Sequence, residues 1–315
     1  MKQPTLCPVC NQPSQYDFSS RDLMFGHYKR YDYHRCTNCH FIFQHPLPTA
    51  VQISSFYPNE YEIYEEQSRL KKVSGLRKSI LKKYYGYSHL STSAFNDFIC
   101  FIPKLFYKNY EVQFNSNGSL LDVRSGNGRS LDGMKKLGWQ TKCVEFNESA
   151  TRVCKLPGLN VHHGIYSQQT LIMTASMSSM LVMLLSAFRI QKNFFAELSR
   201  ILKKEGMLII KIPNSNALGR ASFSFNWFAN EVPRHIYLFY EKNIKVLAST
   251  CKLKVQQLIT RTSPKIILNS LDYVMTNSKV PSKRIKWKRL IARTYVLFAQ
   301  YKKQGDELFV VFTKH

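Results

Sequence analysis

The chain has 315 residues, 44% of them apolar and 21% charged, which is enough for one large or two modest domains and excludes a disordered or fibrous polypeptide. Charge is the unusual quantity: 45 Lys and Arg against 20 Asp and Glu give a formal +25, favouring nucleic acid, phospholipid surfaces or phosphorylated small molecules without choosing among them. The surplus is concentrated, with 9 basic and 1 acidic residue in 67–108 and 9 basic and none acidic in 275–304.

Met1 to Cys7 has no apolar segment before a small-residue cleavage site, so no secretory signal is expected and a cytoplasmic home is the default. In a reducing compartment, Cys7-Pro8-Val9-Cys10 and Cys36-Thr37-Asn38-Cys39 read as metal knuckles rather than disulfides. Each two-residue spacer lets both sulfurs reach one tetrahedral zinc, and two knuckles complete Cys7, Cys10, Cys36 and Cys39 as ligands. Four cysteines leave no open position, so the zinc is expected to staple a small fold, not to catalyse. Tyr28, Tyr31 and Tyr33 suit a hairpin between the knuckles, and His34 and His40 are alternative ligands. Cys100, Cys143, Cys154 and Cys251 read as small buried hydrophobes.

Leu70, Val73, Leu76, Ile80, Leu81 and Tyr84 recur at helical spacing among lysines and arginines, which predicts a cationic amphipathic helix suited to an anionic membrane surface or to a solvated face. From Ser119 the pattern becomes strand and helix in alternation. Ser119–Val123 is a strand, Gly126-Asn127-Gly128 a turn, Arg129 to Leu137 a helix, and Thr141–Phe146 a second strand followed by a helix capped at Asn147. Asn160–His163 is a third strand, whose His162 and His163 point to opposite faces and cannot share a metal. Ile165 to Phe188 has no charge, but its Ser, Thr and Gln residues favour a buried strand over a membrane span. Residues 193–204 predict a helix, Gly206 its stop, and Met207–Ile212 a strand. A second cationic run, Lys283 to Arg293, surrounds Trp287 as interfacial segments do.

This alternation implies a doubly wound α/β sheet with its chemistry at the carboxyl ends of the strands. There a glycine turn admits a ligand to backbone amides and an acid ending the next strand accepts ribose hydroxyls. Asp122, Gly126, Gly128 and Glu145 fit those roles.

Leu120-Leu121-Asp122-Val123-Arg124-Ser125-Gly126-Asn127-Gly128 resembles the first motif of class I S-adenosylmethionine-dependent methyltransferases. Residues 194–206 resemble the helix before the fifth strand of that family, and Gly305–Val311 its closing antiparallel strand. With the zinc knuckles, Phe56-Tyr57-Pro58 and Glu231-Val232-Pro233-Arg234-His235, the chain is similar to a bacterial subgroup that modifies sugars and cell-surface glycans. The resemblance implies a Rossmann-like seven-stranded sheet, a zinc ribbon at 1–48, a basic helical connector at 49–115, and a methyltransferase domain at 116–315 with a basic insertion at about 263–304. It implies that Asp122 with Gly126, Asn127 and Gly128 holds the methionine end of the cofactor, and that Glu145, followed by Phe146, holds the ribose.

A methyl sulfonium is already activated, so the protein must align an acceptor and, where needed, take a proton. His235 is the expected base, Arg234 the group that holds an acceptor phosphate, and Tyr237 a further acceptor contact. The expected acceptor is a sugar or glycan-precursor hydroxyl or carbon, with peripheral membrane contact through the basic helices; nucleic acid has no base-reading motif here. Arg124 stands where the family has a glycine, Ile165 where many members have an acid, and 177–188 lacks the usual acidic and histidine residues. These departures leave open an inactive relative that binds glycan intermediates, a membrane or a partner enzyme.

Overall fold

A computed structural model of the chain describes residues 5–58, 73–102, 112–114, 118–123, 126–145, 147–155, 158–164, 177–183, 192–277 and 286–314. Strands β1 (Ser14–Asp22), β2 (His27–Cys36) and β3 (Ile42–His45) are followed by helices α1 (Ala50–Ser55), α2 (Gly75–Tyr84) and α3 (Ala94–Ile99). Then come β4 (Ser119–Val123), α4 (Arg129–Lys136), β5 (Gln140–Glu145), α5 (Glu148–Lys155), β6 (Asn160–His163) and β7 (Met177–Met183). The remainder comprises α6 (Lys192–Ile201), β8 (Leu202–Pro213), α7 (Leu218–Phe223), β9 (Tyr237–Leu238), α8 (Glu241–Thr250), β10 (Leu253–Arg261), α9 (Pro264–Thr276), α10 (Lys286–Tyr301) and β11 (Glu307–Lys314). The chain divides into two compact units, one of residues 1–59 with 180–315 and the other of 60–179. Among the described residues no helix is long and apolar enough to cross a membrane.

The first unit contains a four-stranded antiparallel sheet, β1-β2-β3-β9. Its fourth strand comes from far along the chain, with Phe43 opposite Tyr237 and Ile42 opposite Leu238. Rings fix that pairing: Phe41 lies 5.4 Å from Tyr237 and 5.0 Å from Phe239. Tyr33, Ile42, Val232 and Leu238 form one buried cluster. A ribbon this small has too little core of its own, and the sheet acquires more from residues 232–239.

The same unit holds an antiparallel sheet β10-β11-β8, with Leu258 opposite Val310 and Val310 opposite Ile210. Just before β11, the fully buried Asp306 accepts hydrogen bonds from Trp227 Nε1 (2.8 Å), Tyr295 Oη (3.0 Å) and the Thr262 hydroxyl. The expected helix over 193–204 stops at Ile201, and 202–206 already belong to β8. Gly206 is therefore no helix stop. A Cβ there would stand 2.8 Å from Leu202 Cδ1, and Leu202 is buried, so the glycine makes room for that side chain.

The second unit is built on a parallel sheet in the order β4-β5-β6, with α4 and α5 as its crossovers. Leu120, Leu121, Asp122 and Val123 on β4 are all fully buried, as a strand covered on both faces requires. Helix α2 buries Ile80 and Leu81, and its Lys82 donates to Thr92 Oγ1 (3.3 Å). The strand expected within 165–188 is present as β7, which lies in the chain between the two three-stranded sheets.

Candidate functional site

Three groups of residues carry chemistry. In the first, the Sγ atoms of Cys7, Cys10, Cys36 and Cys39 all lie within 4.8 Å of one another. Cys10 is 3.4 Å from Cys36 and 3.5 Å from Cys39, and Cys7 is 3.7 Å from Cys39. A tetrahedral zinc with bonds of about 2.3 Å requires sulfurs about 3.8 Å apart, so the donor set fits. Backbone amides of Val9, Asn38 and Cys39 also point at the sulfurs from 3.4 Å, as knuckles provide.

Each knuckle is closed by a left-handed residue one position past its second cysteine, Asn11 at φ 58° and His40 at φ 57°. His40 thus serves the turn, and the metal-ligating cluster among the described residues is made of cysteines alone. Without a cation the thiols cannot all ionise together. The contact with Cys39 lowers Cys7 to about 5, while the same contact pushes Cys39 up and burial pushes Cys36 up. A divalent ion replaces the retained protons.

The second group is the glycine turn after β4. Asp122 is fully buried and paired in register with Cys143 of β5, and Glu145 ends that neighbouring strand at 1% exposure. Gly126 and Gly128 are both left-handed, at φ 58° and 70°, and Gly128 opens α4 as its N-cap. Glu145 ties turn to strand, accepting from the amides of Gly126 (3.2 Å, Oε2) and Asn147 (3.1 Å, Oε1). Asn127 Oδ1 accepts from the Arg129 amide at 3.2 Å. Cys154 sits beneath the turn and donates to the Gly126 carbonyl (3.0 Å).

Two buried acids at the ends of adjacent parallel strands, beside left-handed glycines, fit an adenosyl ligand approached by backbone amides. Asp122, Gly126, Asn127, Gly128 and Glu145 are thus brought together. Phe146, Arg124 and Ile165 lie outside the described residues.

The third group belongs to the first unit. Arg234 is 1% exposed, and its guanidinium takes Asp22 bidentately, NH1 to Oδ2 at 2.7 Å and NH2 to Oδ1 at 2.8 Å. It also donates to Glu231 Oε1 (3.3 Å) and to the Phe56 carbonyl (3.2 Å). The side chain expected to hold an acceptor phosphate is thus directed at the ribbon. Tyr237 is fully buried in the aromatic cluster around Phe41.

His235, 5% exposed, donates from Nδ1 to the Ala229 carbonyl (2.9 Å), which leaves Nε2 facing Glu231 Oε2 at 3.5 Å. Glu231 is the residue that the sequence reading did not single out as a site. The signal was its i, i+3, i+4 spacing to Arg234 and His235, and it holds a left-handed backbone at φ 41°. A cavity of about 610 Å³ lies in this unit, lined in part by Arg21, Tyr28, Arg30, Phe225 and Tyr273. A smaller one of about 10 Å³ shares Arg21, Phe225 and Tyr273 with it and reaches Glu231 and Arg234.

No protein-family model matches the sequence, and no curated protein matches it. Among solved structures, the chain is similar to a geranyl diphosphate C-methyltransferase from Streptomyces coelicolor A3(2), at 10% identity, 84% of this chain, 97% of that one and a TM-score of 0.46. It is also similar to an S-adenosylmethionine-dependent methyltransferase from Thermotoga maritima, described as a possible histamine N-methyltransferase (16% identity, 84% and 99% coverage, TM-score 0.44). A third is an S-adenosylmethionine-dependent methyltransferase from Archaeoglobus fulgidus (13%, 75% and 98%, 0.43). With TM-scores below 0.5, none of these assigns an activity to the chain.

Proposed function

We propose that the protein is an S-adenosylmethionine-dependent methyltransferase acting on a sugar or glycan-precursor hydroxyl or carbon. Its two three-stranded sheets are joined in this reading by β7 into one seven-stranded, doubly wound sheet, and its cysteine cluster holds a structural zinc. The observation that carries the reading is the turn that Glu145 fastens to β5 beside Asp122, with Gly126 and Gly128 in the left-handed region.

When bound, S-adenosylmethionine supplies an activated methyl group. The chain's own residues then do the rest. The amides of the Gly126–Gly128 turn and Asp122 would hold the methionine end, and Glu145, at the end of the neighbouring strand, would take the ribose hydroxyls. The large cavity offers Arg21 and Arg30 with exposed Tyr28 and Phe225, which suits a ring-bearing anionic acceptor. His235 is the proposed base: its Nε2 would take the acceptor proton once Glu231 Oε2, which it faces at 3.5 Å, moves aside. Its Nδ1 proton is fixed on Ala229, and Glu231 stabilises the imidazolium that forms.

Calorimetric titration of S-adenosylmethionine into the zinc-loaded full chain tests this. Binding in the micromolar range, weakened at least about tenfold by Asp122→Ala, is expected. His235→Gln should leave that binding intact and lower turnover of an acceptor about 100-fold or more. No heat at millimolar ligand would instead favour the inactive relative, a reading that the glycine replacement at Arg124 raises from sequence.

A further inference from the structure

Helix α10 turns its large apolar residues outward. Trp287, Leu290, Ile291, Leu297, Phe298 and Tyr301 are between 45% and 80% exposed. Their spacing of i, i+3, i+4, i+10, i+11 and i+14 places them in one stripe along the helix. The opposite side is what docks the helix. Ala292 and Ala299 are fully buried, Lys288 is 2% exposed with Nζ 2.9 Å from Asp272 Oδ1, and Tyr295 donates to Asp306. The helix is therefore held by alanines and two polar anchors while its aliphatic and aromatic side faces water, the reverse of a solvated surface helix. An outward row of six large apolar side chains, interrupted at its middle by Thr294, goes beyond the scattered exposure normal for a soluble surface.

Cations border the row. Arg289, Arg293, Lys302 and Lys303 are exposed, and Lys302 Nζ stands 5.7 Å over the Phe298 ring. With no acid anywhere in 275–304, charge selects the occupant. A second copy would set Arg289, Arg293, Lys302 and Lys303 against the same four cations, and a polynucleotide would leave the aliphatic row uncovered. An anionic bilayer satisfies both features, since apolar residues enter the acyl boundary and arginines and lysines stay at the phosphates.

We propose that α10 seats the protein on an anionic lipid surface, lying in the interface with the Trp287–Tyr301 stripe immersed. The surface is independent of methyl transfer and would serve equally a protein that has lost it. A lipid-linked acceptor would be presented to such a protein in the plane of the membrane.

The full zinc-loaded chain mixed with vesicles of phosphatidylcholine, with or without phosphatidylglycerol, gives the test. Trp139 and Trp227 are buried and Trp287 is exposed, so intrinsic fluorescence reports on α10. The expected result is co-sedimentation with the anionic vesicles only, accompanied by a blue shift that Trp287→Phe removes without weakening binding beyond about twofold. The triple variant Leu290→Ser, Leu297→Ser and Phe298→Ser should lower partition at least about tenfold, as should Arg289→Gln with Arg293→Gln. All five positions are exposed, and thermal unfolding at the wild-type temperature checks that each variant folds. Absence of partition at low salt would overturn the proposal, as would partition with no spectral shift. Wild-type self-association that the triple serine variant abolishes would identify a second copy as the occupant and overturn it equally, and so would tight polynucleotide binding with no vesicle binding.

Discussion

At the scale of single residues, the candidate cofactor turn depends on Gly128. Its φ of 70° costs an L-residue about 1–2 kcal/mol, and an added Cβ would lie 2.8 Å from Cys154 Sγ and 2.9 Å from Leu159 Cδ1. Cys154 cannot yield freely, because it donates to the Gly126 carbonyl. Gly128→Ala should therefore destabilise the protein by about 2 kcal/mol in chemical denaturation and weaken S-adenosylmethionine binding, whereas Gly158→Ala, with only Lys135 Nζ nearby at 3.8 Å, should show the backbone cost alone. Asp306 gives a second residue-scale prediction. Burial pushes its carboxyl up despite the hydrogen bonds from Thr262, Trp227 and Tyr295. The folded state thus holds a proton that the unfolded state has already released, and this group's contribution to stability falls as pH rises from the ordinary carboxylate range through the raised value. Asp306→Asn, which cannot titrate, should lose that dependence. Denaturation of both proteins across mildly acidic to neutral pH should show the variant's deficit shrinking as pH rises; a constant deficit would contradict it. Asp122, Gly126 and Glu145 were readable in the sequence because a strand, a glycine turn and an acid at the next strand end are local features. The engagement of Arg234 with Asp22 was not, since it joins residues that only the folded chain brings together.

At the scale of elements, β9 is two residues long, yet it closes the ribbon's sheet. The cysteine spacing and tyrosine alternation announced β1 and β2, apolar runs announced β4, β5 and β8, and the family resemblance implied β11. A two-residue strand carries no periodicity, so β9 could not be read in advance. Its attachment has a consequence for metal removal. The cysteines sit at the ends of the sheet that β9 completes, with Asn243 of α8 donating to the Cys39 carbonyl (3.4 Å). Chelation should therefore raise amide hydrogen exchange in β3, β9 and the start of α8 as well as in the knuckles, by tenfold or more. Protection changes confined to residues 5–45 would mean that the ribbon is energetically separate from the residues that cap it.

At the scale of the whole molecule, a formal charge of +25 works against compactness, because like charges are held closer in the folded chain than in the unfolded one. Two shielded pairs, one buried and one partly buried, act in the opposite direction. Arg234 with Asp22 and Arg220 with Asp17 neutralise cations inside the first unit, where salt reaches them poorly. Added salt therefore screens mainly the exposed surplus, at a Debye length falling from about 10 Å at 0.1 M to about 3 Å at 1 M. The folded state should gain: melting temperature should rise by several degrees as sodium chloride increases over that range, with sodium sulfate controlling for a specific anion effect. The same screening should weaken the attachment of α10 to anionic vesicles. Stability and membrane partition are thus expected to move in opposite directions with ionic strength. A protein whose melting temperature fell with salt would have its net electrostatics governed by ion pairs rather than by its surplus of cations.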